Sequence, residues 1–405
     1  MFIFYFFAAI LIFLGYKSLR GGIDYLKYFK QELSKPKSDF APFVSIIAPC
    51  RGLDAGLQEN LAALFRQDFP NYEVLFVVDG DADEAIPVIE KARKNFSRGD
   101  TKIQKFSKIV IAGKATNEGQ KVHNLRQAVL EVSGESEIFV FVDSDARPGA
   151  NWLVNLIAPL QDKTVGCATG YRWFMQKRGG FATHLRSVWN ASIASQLGAD
   201  TKKNFCWGGA TAIRRSTFQK LEIREKWRGA LSDDFAITRA MKEANQKIHF
   251  VPQALTASVE DCAFTELLEF TTRQMKITRI YAPHLWKASL LGSFIFAAVF
   301  WTGILLLFFI SGWHFWLTLG FLLVIFALGA GKAWFRLKAV RLALKDYEKE
   351  LKASRGWQIT LWTITPILYF YNSFAALLSR RIFWRGIEYE LKSPTKTVII
   401  NRDAK

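Results

Sequence analysis

Three groups of aspartates in this chain stand where apolar runs end or helices begin, and each is of a type that can handle phosphate charge or a hydroxyl proton. Phe141-Val142-Asp143-Ser144-Asp145 closes an apolar run with two carboxylates one residue apart. Such a pair can share a hard divalent cation, which takes few carboxylates and completes its shell with phosphate oxygens and water. Two aspartates suffice when the substrate brings a diphosphate. Arg147-Pro148-Gly149 follows, so an acidic turn is the competing reading. Val77-Val78-Asp79-Gly80-Asp81-Ala82-Asp83 repeats the theme of an apolar run delivering carboxylates, with the same alternative. Leu231-Ser232-Asp233-Asp234-Phe235 opens a helical stretch. Acids there are commonly caps. Two exceed what capping needs, so one can cap while the other acts as a general base on a hydroxyl.

Two further stretches carry weaker signals. Cys206-Trp207-Gly208-Gly209-Ala210 pairs glycines that allow close backbone approach to a ligand, or that form a tight turn before a strand. Arg273-Gln274-Met275-Lys276-Ile277 sets two cations on one helix face, to meet a diphosphate or lipid headgroups. The five histidines make no ligand-spaced pair, and Cys50, Cys167, Cys206 and Cys262 make no C-x-x-C. The cysteines read as reduced thiols of a cytosol-facing domain. G-x-x-x-x-G-K-[ST], G-x-G-x-x-G and G-x-S-x-G are all missing from the sequence, which argues against a P-loop NTPase, a dinucleotide oxidoreductase and an α/β-hydrolase.

The elements that must position these residues alternate. Strands are predicted at Val44–Ala48, Glu73–Val78, Lys108–Ala112, Ile138–Val142 and Ala212–Ile213, with helices at Leu57–Arg66, Glu84–Asn95 and Lys121–Val132 between them. That rhythm implies an α/β fold with a mostly parallel sheet, which binds ligands at the carboxyl ends of its strands.

Half of the 405 residues are hydrophobic and the net charge is +18. Residues 1–20 read as an N-terminal anchor, 21–42 as a linker, 43–264 as the α/β domain and 265–284 as an amphipathic interfacial segment. Residues 285–333 read as a transmembrane hairpin, 334–356 as a basic cytosolic helix, 357–379 as a spanning or re-entrant segment broken by Pro366, and 380–405 as a cytosolic tail. The basic clusters beside apolar runs suit anionic lipid headgroups on the cytosolic leaflet, and nucleic acid is not expected as a partner.

The ordered set of motifs resembles GT-A glycosyltransferases of the family 2 group, and within it the ceramide glucosyltransferase-like family. Asp79, Asp143-Ser144-Asp145 and Asp233-Asp234 stand in the places of three Asp motifs. Arg273-Gln274-Met275-Lys276-Ile277 stands in the place of [RQ]-x-x-R-W, with Lys276 for the second Arg and Ile277 for the Trp. Gly119-Gln120-Lys121-Val122-His123-Asn124 resembles the Lys- and Asn-containing loop, and Trp384-Arg385-Gly386-Ile387-Glu388-Tyr389 the W-R-G-x-x-Y tail. The resemblance implies a GT-A domain and an inverting, metal-dependent hexosyl transfer from a UDP-sugar to a membrane lipid hydroxyl, on a ceramide-like, diacylglycerol or hopanoid-type acceptor. It places Pro49, Arg51, Asp79, Lys121, Asp143, Arg273 and Lys276 on the donor, and Mg²⁺ or Mn²⁺ on Asp145 helped by Asp143. Asp234, with Asp233 beside it, would serve as base, and Trp207, Gly208, Gly209, Trp384 and Arg385 would face the acceptor. The expected location, apart from the resemblance, is a bacterial inner membrane with the catalytic domain facing the cytosol. A polysaccharide synthase, a polyprenyl-phosphate glycosyltransferase and a non-catalytic nucleotide-sugar-binding scaffold are the alternative readings.

Overall fold

The computed structural model describes residues 1–54, 56–97 and 107–402. The chain divides into two compact units. One is an α/β unit of residues 32–173, 196–258 and 381–405; the other gathers residues 1–31, 174–195 and 259–380.

The α/β unit is built on a seven-stranded sheet, β1 (Val44–Pro49), β2 (Tyr72–Val78), β3 (Ser107–Ile111), β4 (Ile138–Phe141), β5 (Val165–Met175), β6 (Thr211–Arg214) and β7 (Lys247–Val259), in the spatial order β3-β2-β1-β4-β6-β5-β7. β1 to β4 are parallel, and β6 turns antiparallel against β4 and β5. The parallel strands read as continuous apolar runs because helices cover both faces. Ile47, Leu75, Val77, Phe139 and Phe141 pack on one side against Val122, Leu125, Trp227, Ile237 and Met241. Burying such side chains contributes about 1.5–3 kcal/mol each, which fixes the strand ends in place.

Register decides what meets at the upper edge. β1, β2 and β4 run the same way, so Arg51, Asp79 and the Asp143–Asp145 pair emerge together. Phe141 pairs with Thr211, and Thr169 with Thr211, in antiparallel registers. The Trp207–Gly209 loop before β6 and the end of β5 after Thr169 therefore reach the same edge.

The second unit holds three helices long and apolar enough to cross a membrane: Phe2–Leu33, Pro283–Leu306 and Gly312–Ala343. They share a core of Ala8, Leu11, Val299, Phe300, Leu322 and Ile325. Phe2, Phe6, Phe308, Phe309, Trp313 and Trp316 stay exposed, as expected where lipid is the solvent.

Several boundaries differ from the sequence expectation. The first helix runs through residues 21–33, part of the expected linker, because Tyr25, Leu26, Tyr28 and Phe29 form a buried stripe at helical spacing. The basic run from Lys332 is not a separate helix. It continues the third apolar helix to Ala343 and then breaks into Glu348–Ala353 and Arg355–Thr360. The segment around Pro366 is a bent pair, Arg355–Thr363 and Thr365–Leu378, at 55°. Pro366 sits in the first turn of the second helix, where its missing N–H costs no hydrogen bond. The expected tail is folded: β8 (Arg381–Trp384), β9 (Ile387–Ser393) and β10 (Lys396–Asn401) form an antiparallel sheet in the order β10-β9-β8 within the α/β unit.

Candidate active site

Each of the expected aspartates in the α/β unit sits on an element that explains its position. Asp143 and Asp145 follow β4. Asp79 follows β2, and Arg51, just beyond β1, donates from Nη1 to Asp79 Oδ2 at 2.5 Å. Asp79 is partly buried, and burial raises its carboxyl above the ordinary range against the pull of Arg51. Pro49 closes β1 in register with Val77. Lys121 lies in the first turn of helix Gln120–Ala128, and its loop is pinned where Gly119 N–H donates to Ala230 C=O at 2.8 Å. That bond joins the Lys121 helix to the segment leading into Asp233.

Lys121 Nζ consequently lies 2.7 Å from Asp143 Oδ1 and 3.1 Å from Asp233 Oδ1. Burial alone would discharge the ammonium, but Asp143, Asp233 and Asp234 hold its pKa above the ordinary lysine value. Burial also opposes ionisation of Asp143, yet Lys121 and Arg172 outweigh it and keep that carboxyl below its usual range. Asp233 has the longer contact to Lys121 and no guanidinium. Burial, with Asp234 and Asp143 nearby, pushes it up to about 6.

The two adjacent aspartates occupy different surroundings. Asp233 is buried, with a side chain 4% exposed. Asp234 is half-buried; its Oδ1 accepts from Ser232 Oγ and from Phe235 N–H, and its Oδ2 faces the Gly208 N–H at 3.4 Å. Ser232 is the N-cap of helix Asp233–Glu243. Capping is therefore shared by Ser232 and one oxygen of Asp234, which leaves the other oriented toward the glycine loop.

Gly208 is required by close approach. A Cβ there would lie 2.5 Å from Asp233 Oδ2 and 2.6 Å from Lys121 Nζ. Gly208→Ala is expected to displace Lys121 and lower the activity of this site about 100-fold, while thermal unfolding monitored by circular dichroism moves little. A G208A protein with wild-type turnover would show that the loop can yield without disturbing the cluster.

The tail also contributes. Arg385 and Gly386 both take positive φ, 49° and 76°, forming the two-residue turn between β8 and β9. That backbone matches the twist of a hairpin and is unusual for a non-glycine residue. It aims the guanidinium at Arg51 C=O (2.6 Å) and Asp54 (2.7 and 2.9 Å). Asp54 Oδ2 in turn accepts from Ser144 Oγ at 2.5 Å, inside the Asp143-Ser144-Asp145 motif. The sequence expectation sets Arg385 toward the acceptor; its contacts here are with Arg51, expected on the donor. Trp384 is the last residue of β8, and Tyr389 accepts the Gln120 N–H at 3.3 Å. Arg385→Ala strips Asp54 of its cation, and the affinity of this sheet edge for a nucleoside diphosphate, measured by calorimetry, is expected to fall about tenfold.

Arg273 and Lys276 belong to the other unit, on helix Phe264–Tyr281. There Arg273 stacks over Phe270 at 5.6 Å and lies 3.9 Å from Glu269, while burial lowers the Lys276 pKa.

Sequence reasoning passed over three features. Arg172, on β5, bridges Asp143 and Asp145, and its one clue is a lone charge within the aromatic run Tyr171-Arg172-Trp173-Phe174. Asp54 lies in a loop with no motif. Cys167 and Cys206, far apart in sequence, bring their thiols to 3.3 Å. Both are free, and the contact with Cys206 followed by burial holds the Cys167 thiol well above its ordinary pKa.

Among the described residues, no three or more His, Cys, Asp or Glu side chains gather as a metal cage. The Asp143–Asp145 pair nevertheless fits a hard cation. Asp145 Oδ1 is buried without a hydrogen-bond partner, and both carboxylates already share one cationic group. A hard divalent ion held by two carboxylates leaves positions for phosphate oxygens.

A parallel sheet that ends on a D-x-D pair, continued by antiparallel strands along the same edge, defines a GT-A glycosyltransferase fold. Residues 6–397 match the model of glycosyl transferase family 21, and the chain belongs to that family. It is 30% identical over 143 residues to a ceramide glucosyltransferase of Gibberella zeae, covering 34% of this chain and 26% of that protein. It is 22% identical over 258 residues to ceramide glucosyltransferase 1 of Caenorhabditis elegans, covering 60% of this chain and 51% of the other. The matches thus span about a quarter to a half of the curated relatives. Among solved structures it is similar to a mannosyltransferase from Pyrobaculum calidifontis in complex with GDP-Man and Mn²⁺, at 19% identity and TM-score 0.46, covering 92% of this chain and 98% of that one.

Proposed function

We propose that this protein transfers a hexose from a UDP-sugar to the hydroxyl of a membrane lipid, with inversion at the anomeric carbon. The observation that carries the reading is the gathering of Asp143, Asp145, Lys121 and Asp234 around the Gly208 loop, in a chain of family 21 that also holds three apolar helices of spanning length.

Asp145 and Asp143 would hold Mg²⁺ or Mn²⁺. When bound, that ion acts as a Lewis acid on the diphosphate and offsets the charge of the departing UDP. Arg51 and Asp79 would face the nucleoside, and Arg385 ties down the loop from Arg51 to Asp54. Lys121 adds a fixed positive charge beside Asp143. Asp234 has one oxygen tied down and the other turned to the glycine loop, so it suits removal of the acceptor proton as the hydroxyl attacks in line. Asp233 is too enclosed for that task; it orients Lys121. The basic clusters beside the apolar helices support an active site on the cytosolic side of the membrane. Arg273 and Lys276 would add charge for phosphate or headgroups.

The test is incubation of the purified protein in lipid nanodiscs with a panel of UDP-sugars and lipid extracts, followed by mass analysis. A hexosylated lipid formed only with divalent metal is expected. Sugar chains or a hexosyl polyprenyl phosphate as the sole product would overturn the lipid-hydroxyl acceptor. Nucleotide-sugar binding with neither transfer nor hydrolysis would point to a scaffold.

A further inference from the structure

We infer that Arg172 is a displaceable internal cation: it neutralises the Asp143–Asp145 pair in the resting site and passes to the diphosphate when metal and nucleotide arrive. The inference rests on the proposed donor site and extends it. Arg172 Nη1 lies 3.0 Å from Asp145 Oδ2 and Nη2 lies 3.2 Å from Asp143 Oδ2. One planar fork therefore spans the two carboxylates that a divalent cation would share. Its guanidinium carbon sits 4.9 Å from the ring of Trp207, and its side chain is only 13% exposed.

The charges define the consequence. Lys121 contacts Asp143 and Asp233, whereas Arg172 contacts both members of the Asp143–Asp145 pair and is the cation that bridges them. Without Arg172 the two carboxylates lose the cation that bridges them, and Lys121 with the more distant Arg385 is left to relieve Asp143. A divalent ion can take the unpartnered Asp145 Oδ1, but to share both carboxylates it must also take Asp143 oxygens that Lys121 and Arg172 now hold, and the guanidinium then gives up bonds to the pair in a poorly solvated place. The strand fixes its backbone and Trp207 keeps its π-face beneath it, so the guanidinium remains at the site with its bonds to the two carboxylates weakened. A diphosphate offers that fork new charged acceptors at the same position. Metal alone thus competes with Arg172, whereas metal and nucleotide together satisfy both cations. The two ligands are coupled through one side chain, and the coupling is reciprocal.

The test is equilibrium binding of Mn²⁺ to the full-length protein, read from the electron paramagnetic resonance signal of free Mn²⁺, with and without saturating UDP. Wild type is expected to bind Mn²⁺ weakly alone and much more tightly with UDP. Arg172→Met is expected to bind Mn²⁺ alone about tenfold tighter and to lose about tenfold of the enhancement by UDP. Arg172→Lys keeps the charge but not the fork, and is expected to fall between the two; should Arg172→Met fail to fold, Arg172→Lys carries the same comparison. Folded variants with both constants unchanged, or with weaker binding of Mn²⁺ alone, overturn the inference. A wild-type protein that takes up no Mn²⁺ even with UDP overturns the donor-site reading itself, and this inference with it.

Discussion

Asp234→Asn is expected to lower hexosyl transfer by about 10²–10⁴-fold, the span typical of a lost general base, while UDP affinity stays within about twofold of wild type. The amide keeps the side chain's size and its bonds to Ser232 and Phe235 at the helix start, so the fold should survive. What disappears is the basic oxygen toward the glycine loop. Asp233→Asn provides the contrast. Its carboxylate contacts Lys121 rather than open space, so its loss should disturb donor binding as well as turnover. The measurement is initial rate of glycolipid formation beside calorimetric UDP binding for both variants. Full transfer by D234N with loss in D233N would exchange the two roles.

Removal of the divalent ion by a chelator is expected to lower transfer at least about 10³-fold, reversed by adding back Mn²⁺ or Mg²⁺. In the proposed transfer the departing UDP would gain negative charge at its diphosphate, and Lys121 and Arg172 are already committed to carboxylates. Asp145→Asn should show a similar loss that added metal restores only in part, because one carboxylate of the pair is gone. Transfer that continues unchanged in excess chelator would mean that Lys121 and Arg172 carry the diphosphate by themselves. The rate is read as product mass per unit time across a metal titration.

Much of this protein is legible in its sequence, and the particular residues show why. The strands β1 to β4 and the three apolar helices follow from hydrophobic patterning, which is local: a parallel strand buried on both faces is apolar throughout, and a spanning helix is apolar for its whole length. The Asp clusters at strand ends could be placed on one sheet edge because parallel strands deliver their ends together. The strands β5 and β7 were not legible. Val165–Met175 includes Gly166, Gly170 and Arg172, and Lys247–Val259 includes Pro252, and such residues read as breaks in a strand pattern. The last three strands lie in a run of charged and polar residues with buried positions at Ile382, Ile387, Tyr389 and Leu391.

The D-x-D motif itself illustrates the division. By itself the sequence determined which acidic residues stand at strand ends and a helix start: Asp143 and Asp145 after an apolar strand, Asp79 before them and the Asp233-Asp234 pair behind, because residue type and position along a strand are local properties. Only the tertiary structure decided their partners. It put Lys121 between Asp143 and Asp233, Arg172 across Asp143 and Asp145, and Arg385 from the tail onto Asp54, because charge pairing depends on strand order and antiparallel register between segments far apart in the chain. It also separated the neighbouring Asp233 and Asp234 into a buried partner for lysine and a capped, outward-facing carboxylate. Adjacent residues on a helix point about 100° apart, so packing around that turn and not the sequence pair assigns their surroundings.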